Sequence, residues 1–105
     1  PNAVLWTKED PIEVRDRVGK DLSYHPAFTQ GMNIHVARRD DDQHASVASW
    51  ERGVGPTLAS GTGGAAVFVA ANADGPFYVS SLGGTLSYRY DVTGKIVKTG
   101  PAGYV

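Results

Sequence analysis

The sequence predicts an α+β fold: a curved, barrel-like antiparallel sheet wrapped around one central buried helix. Three observations predict it. Short segments of alternating or β-rich residues recur along the chain, separated by turn signals. Residues 62–72, "TGGAAVFVAAN", are apolar all round, so a helix there needs protein on every side. One other segment, 9–26, carries a helical apolar stripe, which leaves strands as the wrapping material. With 105 residues the chain is a single domain, 1–105, with one core.

"NAVLW" (2–6) reads as a buried strand. In "EDPIEVRDRVGKDLSYHP" a helix is expected, with Asp10 at the N-cap, Pro11 at the first helical position and Glu13 in a capping-box-like place. Val14, Val18 and Leu22 form its apolar stripe, and Pro26 cannot continue it. "GMNIHVARR" (31–39) alternates, with Met32, Ile34 and Val36 on one face and Asn33 and His35 on the other. "QHASVASWER" (43–52) alternates again and pairs with it as a hairpin. After a glycine-rich loop comes the apolar helix. Three short strands follow, "GPFYVSS", "GTLSYRYD" and "KIVKTG", joined by the turns "LGG" and "VTGK". The chain opens on Pro1 inside an apolar run, so a longer parent protein is expected.

Net charge is −1, with no basic excess to suggest nucleic acid. No apolar stretch has membrane length and no secretory-leader pattern appears. Zero cysteines exclude disulfides and thiolate metal sites within these residues. The compartment is left open by that count, and a cytoplasmic location is the default expectation. No nucleic acid, membrane or metal is expected as a partner.

"WERGVGPTLASGTGG" (50–64) concentrates the chemistry. Small residues stand where the first N–H groups of the apolar helix point, and those groups with the helix dipole form an anion site. Arg52 can fork onto a carboxylate and Glu51 can hold an ammonium. Together they describe a pocket for the α-carboxylate and α-amine of an amino acid. The plain alternative is a glycine-rich turn with a hydroxyl capping a helix. No lysine follows the glycines as in a phosphate loop, and the dinucleotide spacing fails. "RDDDQH" (39–44) reads as a solvated hairpin tip in preference to a metal patch. His35 is expected to be exposed, His25 to end the helix, and Trp6, Trp50, Tyr78, Tyr88 and Tyr90 to be structural aromatics.

The segment "ERGVGPTLASGTGGAA" resembles the signature of the diaminopimelate epimerase family, which reads Glu-Arg-Gly-Val-Gly-Glu-Thr-x-Ala-Cys-Gly-Thr-Gly before a buried helix. "PNAV", "HPAFTQGMNIHVARR" and "LGGTLSYRYDVTGKIVKTGPAGYV" resemble further blocks of the same family, so the likeness covers most of the chain. It implies a fold of two pseudo-symmetric halves, each a barrel-like sheet around a helix, of which this chain is most of the C-terminal one. The implied activity is cofactor-independent racemisation at an amino-acid α-carbon, LL- to meso-diaminopimelate, by two cysteines on opposite faces. The implied partners are an amino-acid substrate, the absent N-terminal half and, at full length, a second copy as a homodimer.

Carried over by position, Ser60 stands at the second catalytic cysteine. Gly61 and Thr62 supply backbone donors to the carboxylate, Asn33 contacts the substrate, and Glu51 and Arg52 hold its polar ends. Glu51 also helps to organise proton transfer. Three departures stand out: Ser60 for cysteine, Asn2 for a histidine near that cysteine, and Pro56 for glutamate. A serine hydroxyl is a far weaker acid than a thiol, so Ser60 cannot easily supply an anionic base. Related folds in which a hydroxyl replaces one cysteine work with a single base. A single-base isomerase or dehydratase therefore stays open, as does a non-catalytic amino-acid-binding module. Without the opposing cysteine, this chain alone is expected to be inactive.

Overall fold

The computed structural model describes residues 1–28, 31–57 and 61–100, with Gly61 and Thr62 described by their backbone alone. Strand β1 (Asn2–Trp6) leads into helix α1 (Pro11–Ser23), which is followed by β2 (Asn33–Asp41), β3 (His44–Glu51) and β4 (Gly55–Thr57). Helix α2 (Gly61–Ala71) precedes β5 (Phe77–Ser81), β6 (Gly84–Tyr90) and β7 (Ile96–Thr99). No helix among the described residues is long and apolar enough to cross a membrane.

Helix α1 starts where its capping residue predicts. The Asp10 carboxylate accepts from the Ile12 amide at 3.0 Å, and Pro11 opens the first turn without needing a donor. It stops where the Tyr24 and His25 amides fold back onto the Lys20 and Leu22 carbonyls. Its stripe of Val14, Val18 and Leu22 packs on Ile34, Val36, Trp50, Met32 and Ala3. Gly19 lets the helix settle on Trp50, since a Cβ there would lie 2.9 Å from the Trp50 Cβ.

The strands form one open seven-stranded sheet in the order β1-β2-β3-β5-β6-β7, with β4 also on β3. The expected β2–β3 hairpin forms, in the register Ile34↔Trp50, His35↔Ser49 and Ala37↔Val47. The sheet is mixed, because β1 runs parallel to β2 and β5 parallel to β3, each pair bridged by a helix. The far edge of β3 is divided. Ser49–Glu51 pair with β4, and His44–Ser46 pair with β5. Strand β4 was not foreseen, because three residues containing Gly55 and Pro56 carry no strand signal.

The two helices cover opposite faces. On the second face, Val67, Phe68 and Ala71 of α2 pack with Ala37, Ala45, Phe77, Val79 and Tyr88. Helix α2 touches β1, β2, β3, β5, β6 and β7. Six flat strands would span about 24 Å, whereas an eleven-residue helix is about 16 Å long and ~10 Å wide. To reach both outermost strands, the sheet must curl around the helix, as the sequence predicts.

Two burial expectations need correction. Helix α2 is not enclosed on every side, since Val69 is 53% exposed and Ala70 is also exposed. The open sheet covers one flank of the helix and leaves the other bare. Strand β1 is likewise an edge strand, with Leu5 and Trp6 exposed at 37% and 40%.

Candidate functional site

Asn2, Asn33, His35 and Ser49 form one polar cluster, which meets the first turn of α2 where Gly63 rests on His35. Side chains alternate along a strand, so Asn33 and His35 share the α2 face of β2, and Ser49 and Glu51 share the same face of β3. Asn2, on β1, joins them through hydrogen bonds. Above them, Gly63 in the first turn of α2 rests on the His35 ring, where a Cβ would lie 2.5 Å from Nδ1 and Cε1. The next residue, Gly64, rests in the same way on the Tyr88 hydroxyl. The glycines therefore serve close approach of helix to sheet.

His35 is fully buried, which overturns its expected exposure. Strand alternation correctly put it opposite Ile34 and Val36, but α2 covers that second face as well. Its Nε2 lies 2.7 Å from Asn2 Oδ1 and its Nδ1 lies 2.7 Å from Ser49 Oγ. An amide oxygen only accepts, so Nε2 carries the proton, and Nδ1 accepts from the Ser49 hydroxyl. Burial pushes the imidazole pKa below its ordinary value, so the ring is neutral. Asn33 Nδ2 also donates to Asn2 Oδ1, at 3.4 Å, and Asn33 Oδ1 accepts from the Arg52 amide at 3.0 Å. One hydrogen-bonded chain thus runs from β3 through β2 and β1 back to the loop after β3.

Arg52 is exposed, and its guanidinium lies 5.2 Å above the Tyr24 ring at the end of α1. The Tyr24 hydroxyl accepts from the Gly53 amide at 3.1 Å and holds the same loop. Gly31 packs directly on the Arg52 side chain. Glu51 is half-buried, and neither it nor Arg52 forms an ion pair among the described residues. Both charges therefore remain available to a zwitterion. Gly61 and Thr62 open α2, whose first turn carries no acidic residue to compete with an anion. Ser60 lies outside the described residues.

The structure adds three residues that the sequence argument did not place in the site, His35, Ser49 and Thr57, and joins to them Asn2, which the resemblance puts near position 60. His35, Ser49 and Asn2 form the network, and Thr57, opposite Ser49 in the β3–β4 ladder, has a buried hydroxyl with no partner among the described residues. The register of the hairpin was the signal for Ser49, once His35 and Asn33 were given to the same face.

At the opposite end of α2 lies an open cleft of about 600 Å³, lined by Trp6, Thr7, Lys8, Arg38, Arg39, Ala70 and Ala71. Its arginines are already engaged. Arg39 donates to the Ala71, Asp41 and Asp42 carbonyls, and Arg38 pairs with Asp40. We locate the candidate site at the polar mouth instead, because the cleft offers no carboxylate or imidazole. At the hairpin tip, Asp41 is occupied by the His44 imidazole and the Gln43 amide, which hold its carboxyl below the usual range. No group of three or more metal-ligating side chains converges among the described residues.

The sequence model of the diaminopimelate epimerase family matches residues 1–105. A diaminopimelate epimerase of Chelativorans sp. strain BNC1 is 35% identical, covering 97% of this chain and 36% of the relative. That of Rhizorhabdus wittichii is 37% identical, covering 100% of this chain and 40% of the relative. That of Azotobacter vinelandii is 37% identical, covering 97% and 39%. The chain spans about two fifths or less of the length of these relatives.

Proposed function

This chain belongs to the diaminopimelate epimerase family, and on that premise we propose that it supplies one wall of a cofactor-independent amino-acid epimerase site. The substrate is diaminopimelate, a precursor in lysine and peptidoglycan biosynthesis, and the enzyme is cytoplasmic. The carrying observation is the hydrogen-bonded cluster of Asn2, Asn33, His35 and Ser49, seated under the first turn of α2. A polar floor beneath a helix N-terminus suits an anionic group, and Glu51 and Arg52, which form no ion pair among the described residues, suit the rest of a zwitterion.

The chemistry follows from the charges. Amide donors of Gly61 and Thr62 hold the α-carboxylate and stabilise the charge that builds on it as the α-proton leaves. A base on one face removes that proton, and an acid on the other face delivers one. In the family pattern a cysteine at position 60 performs one of these two tasks. A serine there can donate a hydrogen bond, but a hydroxyl is not readily ionised at neutral pH. The remaining half of the protein supplies the opposing group, so this chain by itself is inactive. Rapid α-proton exchange catalysed by residues 1–105 alone would overturn that statement.

Ser60 and Asn2 together favour a second reading, a single-base isomerase or dehydratase in which Ser60 is a hydroxyl donor. Ser60→Cys in the full-length protein separates the two. The epimerase reading expects a gain of about a hundredfold or more in diaminopimelate epimerisation, the usual worth of a positioned acid–base group. No gain, with elimination activity retained, favours the single-base reading. Binding of the amino acid without turnover in either variant would leave a binding module.

A further inference from the structure

Resting on the reading that the mouth of α2 takes a carboxylate, we propose that Asn2 is a ligand-binding residue. Its carboxamide is held by His35 so that Nδ2 stands at the mouth as a fixed donor. The orientation comes from the other half of the amide. Oδ1 accepts from His35 Nε2 at 2.7 Å and from Asn33 Nδ2 at 3.4 Å. Because an amide is planar, fixing Oδ1 also fixes Nδ2, which points away from both donors. Asn2 is exposed, and among the described residues its Nδ2 has no partner.

The neighbouring polar groups are more committed. Asn33 Oδ1 is taken by the Arg52 amide, and one Asn33 N–H is given to Asn2. The Ser49 hydroxyl is spent on His35 Nδ1. Gly63 of α2 rests on the same imidazole that holds Asn2, which puts the amide beside the first turn of the helix. Among the described residues, the side-chain donors left on this face are the second Asn33 N–H, the buried Thr57 hydroxyl and Asn2 Nδ2, and Asn2 Nδ2 is the exposed one with both N–H bonds unspent. An amide neither takes nor gives a proton near neutral pH, so this position holds the ligand and does not move its proton. His35 is fully buried beneath Gly63 and reaches a ligand only through Asn2. It is a positioning residue.

The test is calorimetric titration of the full-length protein with meso-diaminopimelate. Asn2→Ala is expected to weaken binding about tenfold, the loss of one charge-assisted hydrogen bond. Asn2→Asp is isosteric, keeps both accepted bonds and turns an anion toward the ligand, so it weakens binding further. His35→Leu is expected to match Asn2→Ala. His35→Gln, whose amide can still donate to Asn2 Oδ1, is expected to stay within about threefold of wild type, a rescue that simple loss of packing would not give. If wild type binds and both Asn2 variants bind within twofold of it, the proposal is overturned while the carboxylate reading stands. If wild type does not bind, the carboxylate reading fails and Asn2 falls with it.

Discussion

At Gly63 a methyl group has nowhere to go. Helix propensity alone favours alanine over glycine by about 1 kcal/mol, but a Cβ there would meet the rigid, fully buried His35 ring. Overpacking of that kind costs roughly 1–3 kcal/mol, so Gly63→Ala is expected to lower stability. Gly75 has open space around it, and Gly75→Ala is expected to change stability by no more than about 0.5 kcal/mol. Urea denaturation of both variants checks the contrast. The cluster of glycines was legible in the sequence, but which neighbour each one faces was not. His35 shows the same limit. Its face followed from alternation with Ile34 and Val36, while its burial depended on a helix that arrives some thirty residues later.

Helix α1 was the most legible element, because its start, stripe and stop are all local. Asp10→Ala removes the bond to the Ile12 amide and is expected to cost about 1 kcal/mol, read as a lower thermal midpoint. Helix α2 was legible in kind and position, but not in its surroundings. Its C-terminal carbonyl is satisfied by Arg39, from a strand more than thirty residues earlier, with Nη1 2.6 Å from the Ala71 oxygen. That guanidinium also lies 5.1 Å over Phe77. No pattern within residues 61–71 announces such a cap, since the helix itself has no basic residue in its last turn. Strand β4 escaped for the complementary reason. Its pairing is dictated by Ser49–Glu51, not by the residues it contains.

For the whole molecule, the buried neutral imidazole links stability to pH. The unfolded chain takes a proton on His35 as pH falls through the ordinary value of 6.5, whereas the folded chain resists it. Protonation therefore favours unfolding, and stability is expected to decline as pH drops from about 6.5 toward 5. That window lies above the carboxylates. The lowered carboxyls of Asp41 and Asp91 withdraw their contribution only at more acid pH, below the ordinary value of 3.8. His35→Gln is expected to flatten the upper part of the profile, measured as denaturant midpoint against pH. The sheet curled around a helix was legible because the apolar run of α2 demanded it, while the parallel pairings were not, because each depends on a helical crossover. The divided edge of β3 bears on how such a protein diverges. Strand β4, Gly55–Thr57, is a short tab hung from one end of β3, and the outer strands are anchored independently at the other end. On the function proposed above, a replacement in that tab, such as Pro56, retunes the mouth while the scaffold that folds the chain goes on unaltered.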